Sequence, residues 1–124
     1  MGAVVIFTKD VPRLASFYAR VLAPTSTDSD AGDTRVFSPY DEVVVHSIPK
    51  AIADTIVLST PPTPQEDVAI KPVFIVDDID DALEAVVPGG GLVTTRSFVL
   101  DGIARHDIVD PDGNIVQLRA RTST

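Results

Sequence analysis

An α+β fold of two tandem βαβββ modules is predicted by three observations. Val4-Val5-Ile6-Phe7-Thr8-Lys9-Asp10 is echoed 68 positions later by Val73-Phe74-Ile75-Val76-Asp77-Asp78. Each run leads into an amphipathic helix. Near the end of each module a turn feeds an apolar strand: Tyr40-Asp41-Glu42 before Val43-Val44-Val45-His46, and Pro111-Asp112-Gly113 before Asn114-Ile115-Val116-Gln117. A unit this small cannot close a core alone, so the copies are expected to pack on one another.

In the first module, residues 3–8 form a strand and Asp10 is the N-cap of a helix with Pro12 in its first turn, where a missing N–H does least harm. Leu14, Phe17, Tyr18, Val21 and Leu22 fall at spacings of 3, 4, 7 and 8, one apolar stripe, and Pro24 stops the helix. Short strands follow at 25–29, 34–38 and 42–48, separated by turns at 30–33 and 39–41. The second module repeats the order. A strand at 71–76 precedes a helix capped by Asp77 or Asp78, with the stripe Ile79, Ala82, Leu83, Val86 and Val87. Pro88 and Gly89-Gly90-Gly91 end it, and strands run over 93–100, 103–109 and 115–121. The chain is thus one domain, 1–124, with module one at 1–48, a linker at 49–70 and module two at 71–124. The linker contains Pro61-Pro62-Thr63-Pro64, a stiff extended stretch. A helical turn is expected at 50–53 and a short edge strand around Ile56 and Leu58.

Composition narrows the function. Hydrophobic residues make up 44% of 124, enough for a substantial core. With 18 acidic against 10 scattered basic side chains the net charge is −8, which disfavours both nucleic acid and anionic membranes as partners. No apolar run reaches the roughly 18–20 residues of a membrane span. Met1-Gly2-Ala3-Val4-Val5 lacks the basic region and long apolar run of a secretory signal, so a cytoplasmic protein is expected. The absence of cysteine excludes disulfides, thiolate metal sites and a cysteine nucleophile. Neither a Gly-x-Ser-x-Gly elbow nor a phosphate-cradling Gly-x-x-x-x-Gly-Lys motif occurs. One helix per module covers one face of its sheet; the remaining faces, set against each other, would enclose a space for a small molecule.

Three ordered elements carry a family resemblance: Thr8-Lys9-Asp10 with Phe17-Tyr18-Ala19-Arg20-Val21-Leu22, then Val76-Asp77-Asp78-Ile79, then Asp110-Pro111-Asp112-Gly113-Asn114. On these residues the chain resembles the vicinal oxygen chelate superfamily, the glyoxalase/bleomycin-resistance/dioxygenase group, over nearly its whole length. The resemblance implies a cupped mixed sheet made by the paired modules, a ligand inside the cup and a homodimer. It also implies a divalent metal held from the first and last strand of each module. Carried over through the repeats, those positions are Ala3 and His46, then Lys71 and Gln117. Ala3 has no donor atom, Lys71 is a cation with an ordinary pKa of about 10.4, and Gln117 offers only a neutral carbonyl. His46 alone is a good ligand, so the standard metal site is expected to be absent and no cofactor is expected.

The expected activity is binding of a small organic molecule, possible anions included, as in the superfamily's metal-free drug-binding members. Lys71 would pair with a carboxylate or phosphate, while Gln117 and His46 would supply directed hydrogen bonds. Phe7 would form an aromatic wall. His106 would join them if residues 112–113 form a two-residue hairpin loop, because position 108 then opposes 117; a slip of one residue would turn it away. Each has a plainer reading: a hydrogen-bonded strand-end histidine for His46, an edge charge for Lys71, a cross-strand surface residue for His106. Arg96 and Arg105 read as surface charges or as partners of a ligand carboxylate. Two rival functions stand beside this one. One is a metal-dependent lyase, isomerase or dioxygenase recruiting His46, His106 and Asp107; the other is a non-catalytic dimeric scaffold.

Overall fold

Two aspartates 68 positions apart start the main helices in the computed structural model, which describes residues 2–23, 26–30 and 32–121. Asp10 Oδ1 accepts the N–H of Arg13 at 3.2 Å, and Asp78 Oδ1 that of Asp81 at 3.1 Å. Each satisfies one of the donors that a helix start leaves free. Around these caps the chain runs β1 (Ala3–Thr8), α1 (Val11–Val21), β2 (Ser26–Asp30), β3 (Asp33–Phe37) and β4 (Glu42–Ser47). A single helical turn, α2 (Lys50–Ala53), lies in the linker. Then come β5 (Val73–Val76), α3 (Ile79–Val86), β6 (Leu92–Leu100), β7 (Ile103–Val109) and β8 (Ile115–Ala120). Pro24 as helix stop, Thr25 in the second strand and Ala31 in the following turn fall outside the described residues.

The two sheets have the same topology, β1-β4-β3-β2 and β5-β8-β7-β6. In each, the outer first strand runs parallel to the module's last strand and the other pairs are antiparallel. The stripe of α1 is as expected: Leu14, Phe17, Tyr18, Val21 and Leu22 are all at most 3% exposed. In α3, Ala82 and Val86 are buried and Ile79 and Leu83 pack partly covered against the same core. Val87 does not belong to that stripe. The helix ends at Val86, and Val87 is 62% exposed.

One apolar cluster joins the modules. It takes in both helices, Val36, Val43 and Val45 of the first sheet, and Phe74, Ile108, Val116 and Leu118 of the second. Tyr18 meets Phe74 edge to face, with centroids 5.7 Å apart. The helices are complementary rather than alike. Counting from the caps, Phe17 and Tyr18 correspond to Ala85 and Val86. The glycine run accommodates that difference: a Cβ on Gly91 would stand 2.6 Å from the Phe17 ring and 2.3 Å from the Val109 carbonyl oxygen.

The turn before each final strand leans on the other module. Asp41 Oδ2 accepts the N–H of Ile75 at 2.9 Å, capping the outer strand β5, and the Tyr40 hydroxyl bonds Asp77. Reciprocally, Tyr18 donates its hydroxyl to Asp110 Oδ2 at 2.7 Å and Arg13 donates to the Pro111 carbonyl at 2.9 Å. Asp110 Oδ1 also accepts the N–H groups of Asp112 and Asn114. Burial pushes the Asp110 carboxyl above the usual carboxylate range, with the Tyr18 and Asn114 hydrogen bonds pulling it part of the way back. Burial likewise raises Asp112, opposed by a hydrogen bond from Thr8 and the charge of Arg13. The linker crosses this turn so closely that a Cβ on Gly113, at φ +92°, would lie 2.3 Å from the Thr63 carbonyl. Residues 56–58 form no strand; the segment is held instead by Lys9 Nζ, which donates to the Ile56 carbonyl at 2.6 Å. Among the described residues no helix is long and apolar enough to cross a membrane.

Candidate functional site

Both helix-covered sheet faces contribute to one core, so the uncovered faces turn away from it. The cleft that does form within the chain lies between β1, the linker and one corner of the second sheet. Its volume is about 750 Å³. The corner is built by register. β5, β8 and β7 align Val73, Gln117 and Asp107 in one row. Opposite Asp107, β6 loses register between Val93 and Ser97, and Thr94-Thr95-Arg96 bulges out. Bulges re-aim side chains in this way beside many functional sites. Here Thr94 Oγ1 donates to the Asp107 carbonyl at 2.7 Å and accepts the Arg96 N–H at 3.1 Å, fixing the bulge.

Asp107 is the centre of the corner. It is 2% exposed, and a buried carboxylate must find charge and hydrogen bonds nearby. Lys71 Nζ donates to its Oδ2 at 2.7 Å and Gln117 Nε2 to its Oδ1 at 3.3 Å. Arg96 stands at 3.9 Å from Oδ2. Arg105 in turn donates to Gln117 Oε1 at 3.3 Å, which sets the amide's orientation. Two cations thus face one buried anion at the edge of the cleft. The opposite wall is apolar, with Val5 and Phe7 53% and 59% exposed and Val68 on the linker side.

Of the residues singled out in the sequence, Lys71 and Phe7 line the cleft, and Gln117 sits one hydrogen bond behind it, on Asp107. Lys71 precedes the strand instead of opening it. β5 begins at Val73, and the Pro72 carbonyl accepts the N–H of Gln117 at 2.9 Å. His46 lies elsewhere, on the first sheet. Its Nδ1 pairs with Asp33 and its ring meets Phe7 edge-on at 5.2 Å. The proposed equivalence of His46 with Gln117 is off by two residues. β1 pairs Val5 with Val44 where β5 pairs Val73 with Gln117, so Val44 is the counterpart.

His106 requires a correction. The β7–β8 connection spans residues 110–114, not a two-residue loop, and Asp107 opposes Gln117. A shift of one residue reverses the face. His106 therefore sits opposite Leu118, with Nε2 bonded to the Thr94 carbonyl at 2.6 Å. Asp107, not His106, shares the face of Gln117. Its burial shows only in the structure, where residues 107–111 are all buried.

Of the four metal positions that the resemblance implies, strand register replaces His46 by Val44, which makes the set Ala3, Val44, Lys71 and Gln117. Two have no donor atom, one is an ammonium in an ion pair, and one is an amide that already donates to a carboxylate. This set does not fit a divalent cation. His46, His106 and Asp107 do not converge, and among the described residues no three His, Asp or Glu side chains group to hold a metal.

No protein-family model matches the sequence, and no curated protein matches it significantly. Solved structures do. A glyoxalase/bleomycin resistance protein from Albidiferax ferrireducens T118 superposes with a TM-score of 0.71 at 16% identity, over 98% of each chain. A glyoxalase/bleomycin resistance protein/dioxygenase family enzyme from Burkholderia phytofirmans PsJN gives 0.68 at 12% identity, over 95% of each chain. The fosfomycin resistance protein FosX from Mesorhizobium loti gives 0.65 at 14% identity, over 99% of this chain and 92% of the other. The chain has the fold of the vicinal oxygen chelate proteins, with both βαβββ modules in place.

Proposed function

We propose that the protein binds a small anionic organic molecule in the cleft beside Lys71, without the divalent metal that enzymes of this fold commonly use. The observation that carries the reading is the corner itself. In that corner Lys71 and Arg96 meet the single carboxylate of Asp107, opposite an exposed phenyl ring, while the other acid lining the cleft, Glu66, comes from the linker side. An acid with an apolar body suits both walls. Lys71 and Arg96 would hold its anionic end, Phe7 and Val68 its hydrocarbon. Structural neighbours described as bleomycin and fosfomycin resistance proteins are compatible with a protein that handles small molecules. A second copy of the chain is proposed to close the cup, since Val5, Phe7, Val73 and Phe98 stay at least 40% exposed on uncovered faces.

Calorimetric titration of the purified protein with aromatic carboxylates and phosphonates, and separately with zinc, manganese, iron and nickel, tests the reading. Saturable anion binding with no tight metal binding is the expected result. Stoichiometric metal binding would overturn it, as would indifference to every anion.

A further inference from the structure

We infer that Arg105 and Arg119 form a second anchor on the uncovered face of the second sheet, a subsite for a carboxylate, phosphonate or phosphate group. The inference rests on the small-anion reading above and deepens it by naming the group that is gripped. The two arginines are direct cross-strand partners on β7 and β8, the inner strands of the sheet. Ile75 flanks them on β5 and Phe98, 42% exposed, on β6.

Two like charges placed opposite each other repel, and such pairs destabilise a sheet. Among the described residues neither guanidinium takes part in an ion pair. Among the described residues the Arg105 side chain makes one hydrogen bond, to the Gln117 side-chain oxygen at 3.3 Å, and the Arg119 side chain makes none. The Nε atoms of both are buried without an acceptor. Buried donors are nearly always satisfied, so two missing acceptors at one spot point to an absent oxyanion. Cross-strand partners have Cβ atoms about 4.5–5.5 Å apart, close enough for two guanidiniums to share one oxyanion through paired N–H donors.

The subsite connects with the cleft. Arg105 bonds Gln117, Gln117 bonds Asp107, and Asp107 bonds Lys71. A ligand oxyanion at Arg105 and Arg119 would lie one row of side chains from the Lys71 corner. A carboxylate from a second copy is the less fitting occupant, because the pair lies on the two inner strands, away from the edges of the sheet.

The test uses inorganic phosphate and phenylphosphonate with the full-length chain. Affinity is read by calorimetry and the 31P NMR shift, fold by circular dichroism, and assembly by sedimentation. The parent should bind both, and Arg119→Gln and Arg105→Gln should each weaken binding at least tenfold. Both variants should keep an unchanged or higher Tm without ligand, since repulsion is relieved. A Lys71→Met loss alongside intact binding in both arginine variants overturns the subsite and leaves the cleft reading standing. The reverse pattern supports the subsite and removes Lys71 from it. No phosphate binding by the parent, with Arg119→Gln splitting the assembly, overturns the inference and assigns the pair to a second copy.

Discussion

Replacing Lys71 by alanine removes an ammonium 2.7 Å from a carboxylate that is 2% exposed. Breaking a buried pair from one side typically costs ~3–5 kcal/mol, because the remaining charge stays buried and uncompensated. Here the loss is smaller. Lys71 is itself 35% exposed, Gln117 keeps its 3.3 Å bond to Asp107, and Arg96 at 3.9 Å can close the gap. A cost of about 2 kcal/mol follows, which for a chain of this size lowers Tm by about 8 °C. Lys71 is therefore not the neutral edge charge that its position before Pro72 suggests. Urea unfolding followed by circular dichroism measures the single variant, Asp107→Asn, and the pair together. The double variant should recover at least 1 kcal/mol relative to the sum of the singles, since neutralising both ends leaves no buried charge. A Lys71→Ala midpoint equal to the parent's, with no coupling in the cycle, would refute the ion-pair account of this corner.

Two further outcomes are expected. Leu14→Ala, at a side chain with no exposure, should cost about 3–5 kcal/mol, while Leu83→Ala, only partly covered, should cost about half as much; equal costs in urea titrations would contradict the unequal packing of the helices. The Asp110 and Asp112 carboxyls are raised by burial, so the native state holds protons that the unfolded state has released. Their stabilising contribution is full below the ordinary carboxylate range and is lost as pH rises through the raised values. The stability difference between the parent and Asp110→Asn, measured from pH 3 to pH 8 (roughly the window that brackets carboxylate titration), should fall with rising pH, and a flat difference curve would exclude Asp110 as its source.

The fold was readable because its two periods are strong. The stripes at spacings of 3, 4, 7 and 8, the aspartate caps and the repeated strand order specify βαβββ twice. The strands at 103–109 and the helical turn at 50–53 coincide with expectation to the residue. Faces within the last hairpin were less readable, for a specific reason. Asp110 binds two backbone N–H groups of its own turn, making a five-residue connection from a sequence that also suits a two-residue one. That choice turned His106 away and brought Asp107 to the site. The bulge at Thr94-Thr95-Arg96 has no glycine or proline to announce it. Phe7 is read from the alternation of its strand and Lys71 from the repeat, as the counterpart of Ala3; both line the cleft, although Lys71 lies just before β5. His46 was misplaced by counting from the turn when strand pairing sets the correspondence.

The exchange of bulk between the helices makes the two halves non-interchangeable. Phe17 occupies room that Gly89 and Gly91 leave free. A chain joining two first halves would crowd four rings into the middle, and one joining two second halves would leave a void there. The two backbones share one topology, but the halves fit as lock and key, and neither would fill the other's place.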